Sequence, residues 1–453
     1  MHIPNLREVE SSLELRPEVK YPESPFFAGP EAPCRFEAEV YNCVVRGEIP
    51  SQVDGTYYRC MPDQLWAPLY EDDIFINGDG AIDAVRIKDG YADFKQKFVR
   101  TKRFVIERIA RKAIFGKYRN RYTDDIRVRH KIHSTANTHE DSFFYVMNLD
   151  LLKSIGVYNF YGQYIFPTFI AYPKIDPYIG ELIIMGYEVK GDAITDIAYF
   201  FFDKDDEEKP FVFDIVPRQN PRLKDVRWFQ NKNVFYGYTG NAFDGEDGCV
   251  YLDTPLTYMN KSGPVSHYVR WKLDPNATDL HVEPVELVDV DGEMPKVDWR
   301  YDTKPYKYCF LAMHDPNSKE APVGGGYNAI AKCNVDNGTY EHWYAGTGTA
   351  VHEVAFIPRH EDAPEADGYI ISIANRHDTS LTNIIILDTL DMAKGPIAVI
   401  ELPFRLRNGI HGSWVNGKDL PGTEDFCDMH GITDEIRAEF GQGIAANGGN
   451  RAL

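Results

Sequence analysis

Tyr369-Ile370-Ile371-Ser372-Ile373-Ala374 is followed, after a polar stretch, by Asn383-Ile384-Ile385-Ile386-Leu387, which stops at Asp388. Both runs are short, apolar and rich in isoleucine, and they are bounded by turn residues, so they read as strands. Outward from them the same arrangement recurs along most of the chain. Turn dipeptides mark it at Asn77-Gly78-Asp79-Gly80, Asp89-Gly90, Asp244-Gly245, Asn337-Gly338 and Asp367-Gly368. An all-β sandwich, barrel or propeller follows. Helical periodicity is confined to a few places, chiefly Phe104–Phe115, where apolar residues fall three and four apart and Gly116 supplies a stop. At Asn77–Gly80 the glycines predict a tight turn at positive φ.

The chain has 453 residues, 43% of them hydrophobic, enough to build a large core. Lys and Arg number 49 against 69 Asp and Glu, a net charge of -20. That balance argues against a nucleic-acid partner, because phosphate-backbone affinity needs clustered cations. Nowhere does an apolar run reach the roughly 20 residues of a transmembrane helix, and the N-terminal stretch has no apolar signal core. A cytoplasmic protein is expected. The seven cysteines are scattered without a C-x-x-C pair, which suggests thiols rather than a disulfide framework or thiolate zinc site. The acidic run Asp203–Lys209 reads as a solvated loop.

Longer strings are more specific. They include Gly55-Thr56-Tyr57-Tyr58-Arg59, Asp73–Gly80, Phe98-Val99-Arg100-Thr101, Phe115–Asn120, Ser134–Thr138 and Pro173-Lys174-Ile175-Asp176-Pro177. Later come Asn241-Ala242-Phe243, Glu293-Met294-Pro295, Glu353–Arg359 and Ile410-His411-Gly412-Ser413-Trp414. In these motifs and their order the chain resembles the carotenoid cleavage oxygenase family, and within it the stilbene-cleaving, lignostilbene dioxygenase branch. The resemblance implies a seven-bladed β-propeller over residues 35–416, flanked by an N-terminal extension, 1–34, and a tail, 417–453. A small cap of loops and helix is expected over an axial apolar tunnel, with room for one incomplete blade.

The resemblance also implies Fe(II) held by four histidines, with glutamates accepting hydrogen bonds from their free ring nitrogens. Tested residue by residue, most of that ligand set is replaced. Tyr172 stands at the first histidine position, within Ile170-Ala171-Tyr172-Pro173. The strand bearing the second has no counterpart between Tyr199 and Pro217, and Tyr238 stands at the third, three residues before Asn241. His411 is the retained ligand. Glu293 and Glu353 match two supporting glutamates, while the third, expected near Tyr145–Asn148, is missing. Tyr118 matches a tyrosine that binds a substrate hydroxyl in the stilbene-cleaving branch.

Three functions remain open. One is iron-dependent dioxygenase cleavage of a C=C bond in a stilbene, phenylpropanoid or apocarotenoid-like molecule. A tyrosinate site of Tyr172, Tyr238 and His411 would be its ferric variant. The second is a metal-free isomerase, dehydratase or cyclase in which the same three residues move protons. The third is a non-catalytic binder of small apolar molecules. His130, His133, His139, His314, His352 and His377 read as packed or surface histidines, because no H-x-H or H-x3-H spacing joins them.

Overall fold

The computed structural model describes residues 21–24, 27–117, 145–158, 174–175, 178, 182–183, 211–217, 222–231, 237–260, 263–318, 326–409 and 411–421. Among them the chain forms antiparallel sheets and one α-helix. The two isoleucine runs are strands Gly368–Arg376 and Leu381–Asp388, paired from Tyr369 opposite Asp388 to Arg376 opposite Leu381.

Their apolar continuity has a packing cause. Ile371, Ile373, Ile384 and Ile386 face one core, shared with Tyr57, Val85, Ile87 and Phe94 of the first sheet. Ile370, Ala374, Ile385 and Leu387 face a second core, shared with Phe310 and Ile330. A third core joins Leu311, Met313, Ala329 and Ala331 to Phe243 and Tyr268 of the preceding sheet. The sheet of Gly368–Arg376 and the sheet that contains Phe310 and Ile330 are therefore each covered on both faces, and a strand buried on both faces needs no polar alternation.

Two long-range pairings close the arrangement. The N-terminal strand Val44–Gly47 adds to the last sheet along Ala398–Glu401. The C-terminal strand His411–Asn416 adds to the first sheet along Gly55–Asp63. Each end of the body thus covers an edge that would otherwise leave backbone donors and acceptors unpaired.

The Asp89-Gly90 turn behaves as its sequence predicts, with φ of 51° and 80° between paired Lys88 and Tyr91, the geometry a two-residue hairpin loop needs. The expectation at Asn77–Gly80 is corrected: neither Gly78 nor Gly80 has positive φ. Gly78 is required instead by close approach, since a Cβ there would stand 2.7 Å from the Asp63 amide nitrogen. Asn77 is a buried bracket, its Nδ2 donating to Asp73 Oδ2 (2.8 Å) and to the Gly116 carbonyl (2.9 Å), and its Oδ1 accepting from Arg103 (2.8 Å).

The helix is shorter than its periodicity suggests. It spans Lys102–Ala110, capped by the Thr101 hydroxyl on the Phe104 amide, and ends with Arg111 in the left-handed region rather than at Gly116. The cause is Glu107. Its Oε1 accepts from the amides of Ile114 (2.9 Å) and Phe115 (3.0 Å), folding that segment back against the helix. Tyr118, Tyr172, the Asp203–Lys209 run and the span of the absent second-histidine strand up to 210 lie outside the described residues.

Truncating Ile371 to alanine should cost about 2–5 kcal/mol, the usual penalty for a buried isoleucine. Val44→Ala, at a position 61% exposed, should stay within about 0.5 kcal/mol of the parent. Denaturant unfolding of the two variants side by side checks both.

Candidate functional site

His411 opens the closing strand, opposite Cys60. Tyr238 lies in the segment leading into the strand Asn241–Asp244. That segment is anchored by the Asn241 side chain, whose Nδ2 donates to the carbonyls of Tyr301 (3.0 Å) and Lys304 (3.1 Å) and whose Oδ1 accepts from the Thr303 amide (3.0 Å). Glu293 belongs to the strand Gly292–Val297, and Glu353 to the link between Thr349–Val351 and Ala355–Pro358. The Glu353 carbonyl accepts from Tyr57 Oη and Ser372 Oγ, both at 3.2 Å, which fixes that link.

These elements bring His411, Tyr238, Glu293 and Glu353 into one central cluster. The Tyr238 and His411 rings meet edge to face, with centroids 5.6 Å apart. Glu353 is the hub: its Oε2 accepts from the Gly412 amide, and its Oε1 lies 3.9 Å from His411 Nδ1 and 3.1 Å from Lys296 Nζ. At 3.9 Å the histidine contact is electrostatic rather than a hydrogen bond. Glu293 Oε2 accepts from the Met294 amide at 2.6 Å.

The charges follow from this packing. Burial alone would raise the Glu353 carboxyl, but Lys296, His411 and the Gly412 amide outweigh it and hold Glu353 below the usual glutamate range. Burial pushes Glu293 up to about 7, against the pull of the Met294 and Gly237 amides and with a further push from Glu353. Burial, then Glu353 and Glu293, drive the Tyr238 phenol well above its ordinary value. Tyr327 is raised in the same way, by burial and then by Glu293 and Asp291.

This donor set does not fit the iron centre that four histidines would build. Among the described residues the cluster supplies one imidazole, His411, and the phenol at the third ligand position is kept neutral. A neutral phenol is a poor metal donor; tyrosinate ligation needs the opposite shift. Burial, and after it the two carboxylates, favour the phenol form of Tyr238 over the tyrosinate. The group of three ligand-type side chains found among the described residues, His267, Glu286 and Asp289, is exposed or half-buried and contains none of these residues.

Of the other described histidines named from sequence, His314 has a carboxylate partner, while the Nε2 atoms of His352 and His377 are buried without a hydrogen bond. His314 Nδ1 lies 2.6 Å from Asp291. His352 is buried and neutral, pushed down to about 3 by burial and then by Arg59. His377 is lowered by burial and Arg405. His130, His133 and His139 lie outside the described residues.

Lys296 is the member of the cluster that sequence reasoning missed. Counted along a regular strand it should face away from Glu293, three positions earlier. The available signal was Pro295, which has no N–H for the ladder and inside a strand marks a bulge.

Residues 31–211 and 204–416 match the family model described as retinal pigment epithelial membrane protein (RPE65). Resveratrol cleavage oxygenase 1 of Aspergillus fumigatus is 34% identical, the match covering 88% of this chain and 97% of that protein. Isoeugenol monooxygenase of Pseudomonas nitroreducens is 31% identical over 86% of this chain and 98% of its own. The crystal structure of Pseudomonas brassicacearum lignostilbene dioxygenase superposes with a TM-score of 0.81 at 31% identity, covering 88% of this chain and 100% of that one. The antiparallel sheets are blades of the seven-bladed propeller this group shares. By motif, sequence and fold, the chain belongs to the RPE65/carotenoid oxygenase family.

Proposed function

We propose that this protein acts at the central cluster on an extended apolar or phenolic small molecule of the stilbene, phenylpropanoid or apocarotenoid-like class, cleaving a conjugated C=C bond oxidatively. The observation that carries the reading is the retained His411–Glu353 pair, within a chain about a third identical to named cleavage oxygenases over nearly its whole length. Fe(II) is the cofactor the family implies. The described residues of the cluster, with one imidazole among them, do not match its four-histidine ligand set. Glu353 orients His411, and the neutral Tyr238 phenol donates a hydrogen bond to an oxygen of the bound molecule. Tyr172 and Tyr118 belong to the same reading as further site residues. A cytoplasmic location accompanies it, supported by six free cysteines among the described residues.

A second reading is favoured by the protonation states of Tyr238 and Glu293. A neutral phenol beside a carboxyl that titrates near neutrality is an acid–base pair able to isomerise or dehydrate a conjugated phenol without oxygen. One assay separates the two. Under air, oxidative cleavage gives one carbonyl pair per dioxygen consumed, and His411→Ala should lower turnover by roughly 10²-fold or more. Turnover that persists without oxygen and under strong chelation, and falls in Tyr238→Phe, contradicts cleavage and establishes proton transfer. No turnover of a hydroxystilbene, a phenylpropanoid or an apocarotenoid, with or without oxygen, contradicts both.

Glu293 gives a prediction independent of substrate. A carboxyl raised from 4.5 to about 7 binds more protons folded than unfolded in that window, so stability falls as pH rises through it. The loss is about 3 kcal/mol by the usual conversion. Urea unfolding at the two ends of this range should show that decline in the parent, and Glu293→Gln should flatten it.

A further inference from the structure

The strand Gly292–Val297 pairs with Tyr308–Met313 in a register that jumps between Glu293, opposite Ala312, and Lys296, opposite Phe310. Three steps on one strand span two on the other, which is a β-bulge. Met294 sits inside it at φ 57°, and Pro295 follows. Because Ala312 and Phe310 lie on one face of their strand, Glu293 and Lys296 lie on one face of theirs. The bulge therefore delivers an ammonium as well as a carboxylate to the central cluster.

Lys296 and Glu353 are nearly sealed from solvent, with side chains 11% and 3% exposed and Nζ 3.1 Å from Oε1. The other carboxylate oxygen takes the Gly412 amide, whose neighbour is His411. A carboxylate buried this deeply keeps one orientation only while donors hold its oxygens. The Gly412 amide fixes one of them by a hydrogen bond, and the one that faces His411, which accepts no hydrogen bond, is held by the Lys296 charge at 3.1 Å.

We infer that Lys296 is the positioning residue of the central cluster: its ammonium holds the Glu353 carboxylate so that His411 turns Nδ1 toward it and presents Nε2 to the bound molecule. Lys296 touches no reacting atom; it acts through Glu353. The inference rests on the central cluster being the site of the proposed function, but it requires neither cleavage nor proton transfer. Its test therefore uses no turnover, and its failure is distinct from failure of either reaction.

The experiment is a long-range proton–nitrogen correlation on the full-length protein carrying nitrogen-15 histidine, at one fixed, mildly alkaline pH. The His411 signal is assigned by its loss in His411→Ala. The parent and Lys296→Arg should show a single His411 tautomer protonated on Nδ1. Lys296→Met should lose that single-tautomer pattern, and Lys296→Gln, which also lacks the charge, serves where the methionine variant does not fold. A parent His411 protonated on Nε2, or a neutral variant that keeps the parent pattern, overturns the inference.

Discussion

The pairing of His411–Asn416 with Gly55–Asp63 joins the end of the folded body to its beginning, and the central cluster takes its shape from that closure. His411 is the first residue of the closing strand, so its position is set by a ladder between segments about 350 residues apart. Chain entropy does not forbid so distant a contact, since each doubling of a loop costs only about 0.6 kcal/mol. The ladder is reinforced where function needs it: Gly412, the second residue of the strand, donates its amide to Glu353 from the adjoining sheet. Closure of the ring and orientation of the site are one event.

The electrostatics of the cluster follow from that geometry. Two carboxylates in a buried space repel, and the structure resolves the conflict by giving them different states. Glu353 receives Lys296, the Gly412 amide and His411, and stays ionised. Glu293, with backbone amides as its partners, rises to about 7. Burial is the main cause of that rise, and the Glu353 charge adds a smaller push. Removing one partner of a buried pair costs about 3–5 kcal/mol because the other charge is left behind. Burial and then the same two carboxylates favour the phenol form of Tyr238.

Much of this was legible in the sequence, for identifiable reasons. The isoleucine runs of Gly368–Asp388 reported two strands, and Asp89-Gly90 reported its hairpin. The family strings located His411, Glu293, Glu353 and Tyr238, because a motif fixes residues whatever lies between them. What could not be read were contacts that break local periodicity. The helix stops at Ala110 because Glu107 captures amides beyond it, and Asn77–Gly80 is held by close approach rather than by a turn. Lys296 was hidden because one extra residue in a strand reverses the parity on which face assignment relies. Composition framed a chain large enough for a big core, and the strand pattern gave the β class, but neither carried information about the charge balance at the centre.

The account turns on one claim, that Tyr238, His411, Glu293, Glu353 and Lys296 together form the binding site for the small molecule. The most direct measurement is a crystal structure of the protein with a hydroxystilbene bound. The account predicts the phenolic ligand in the central cluster, with an oxygen in hydrogen-bond contact with Tyr238 and the His411 ring against the conjugated chain. A hydroxystilbene bound away from these residues, or a central cluster that stays closed to it at saturation, would contradict the claim.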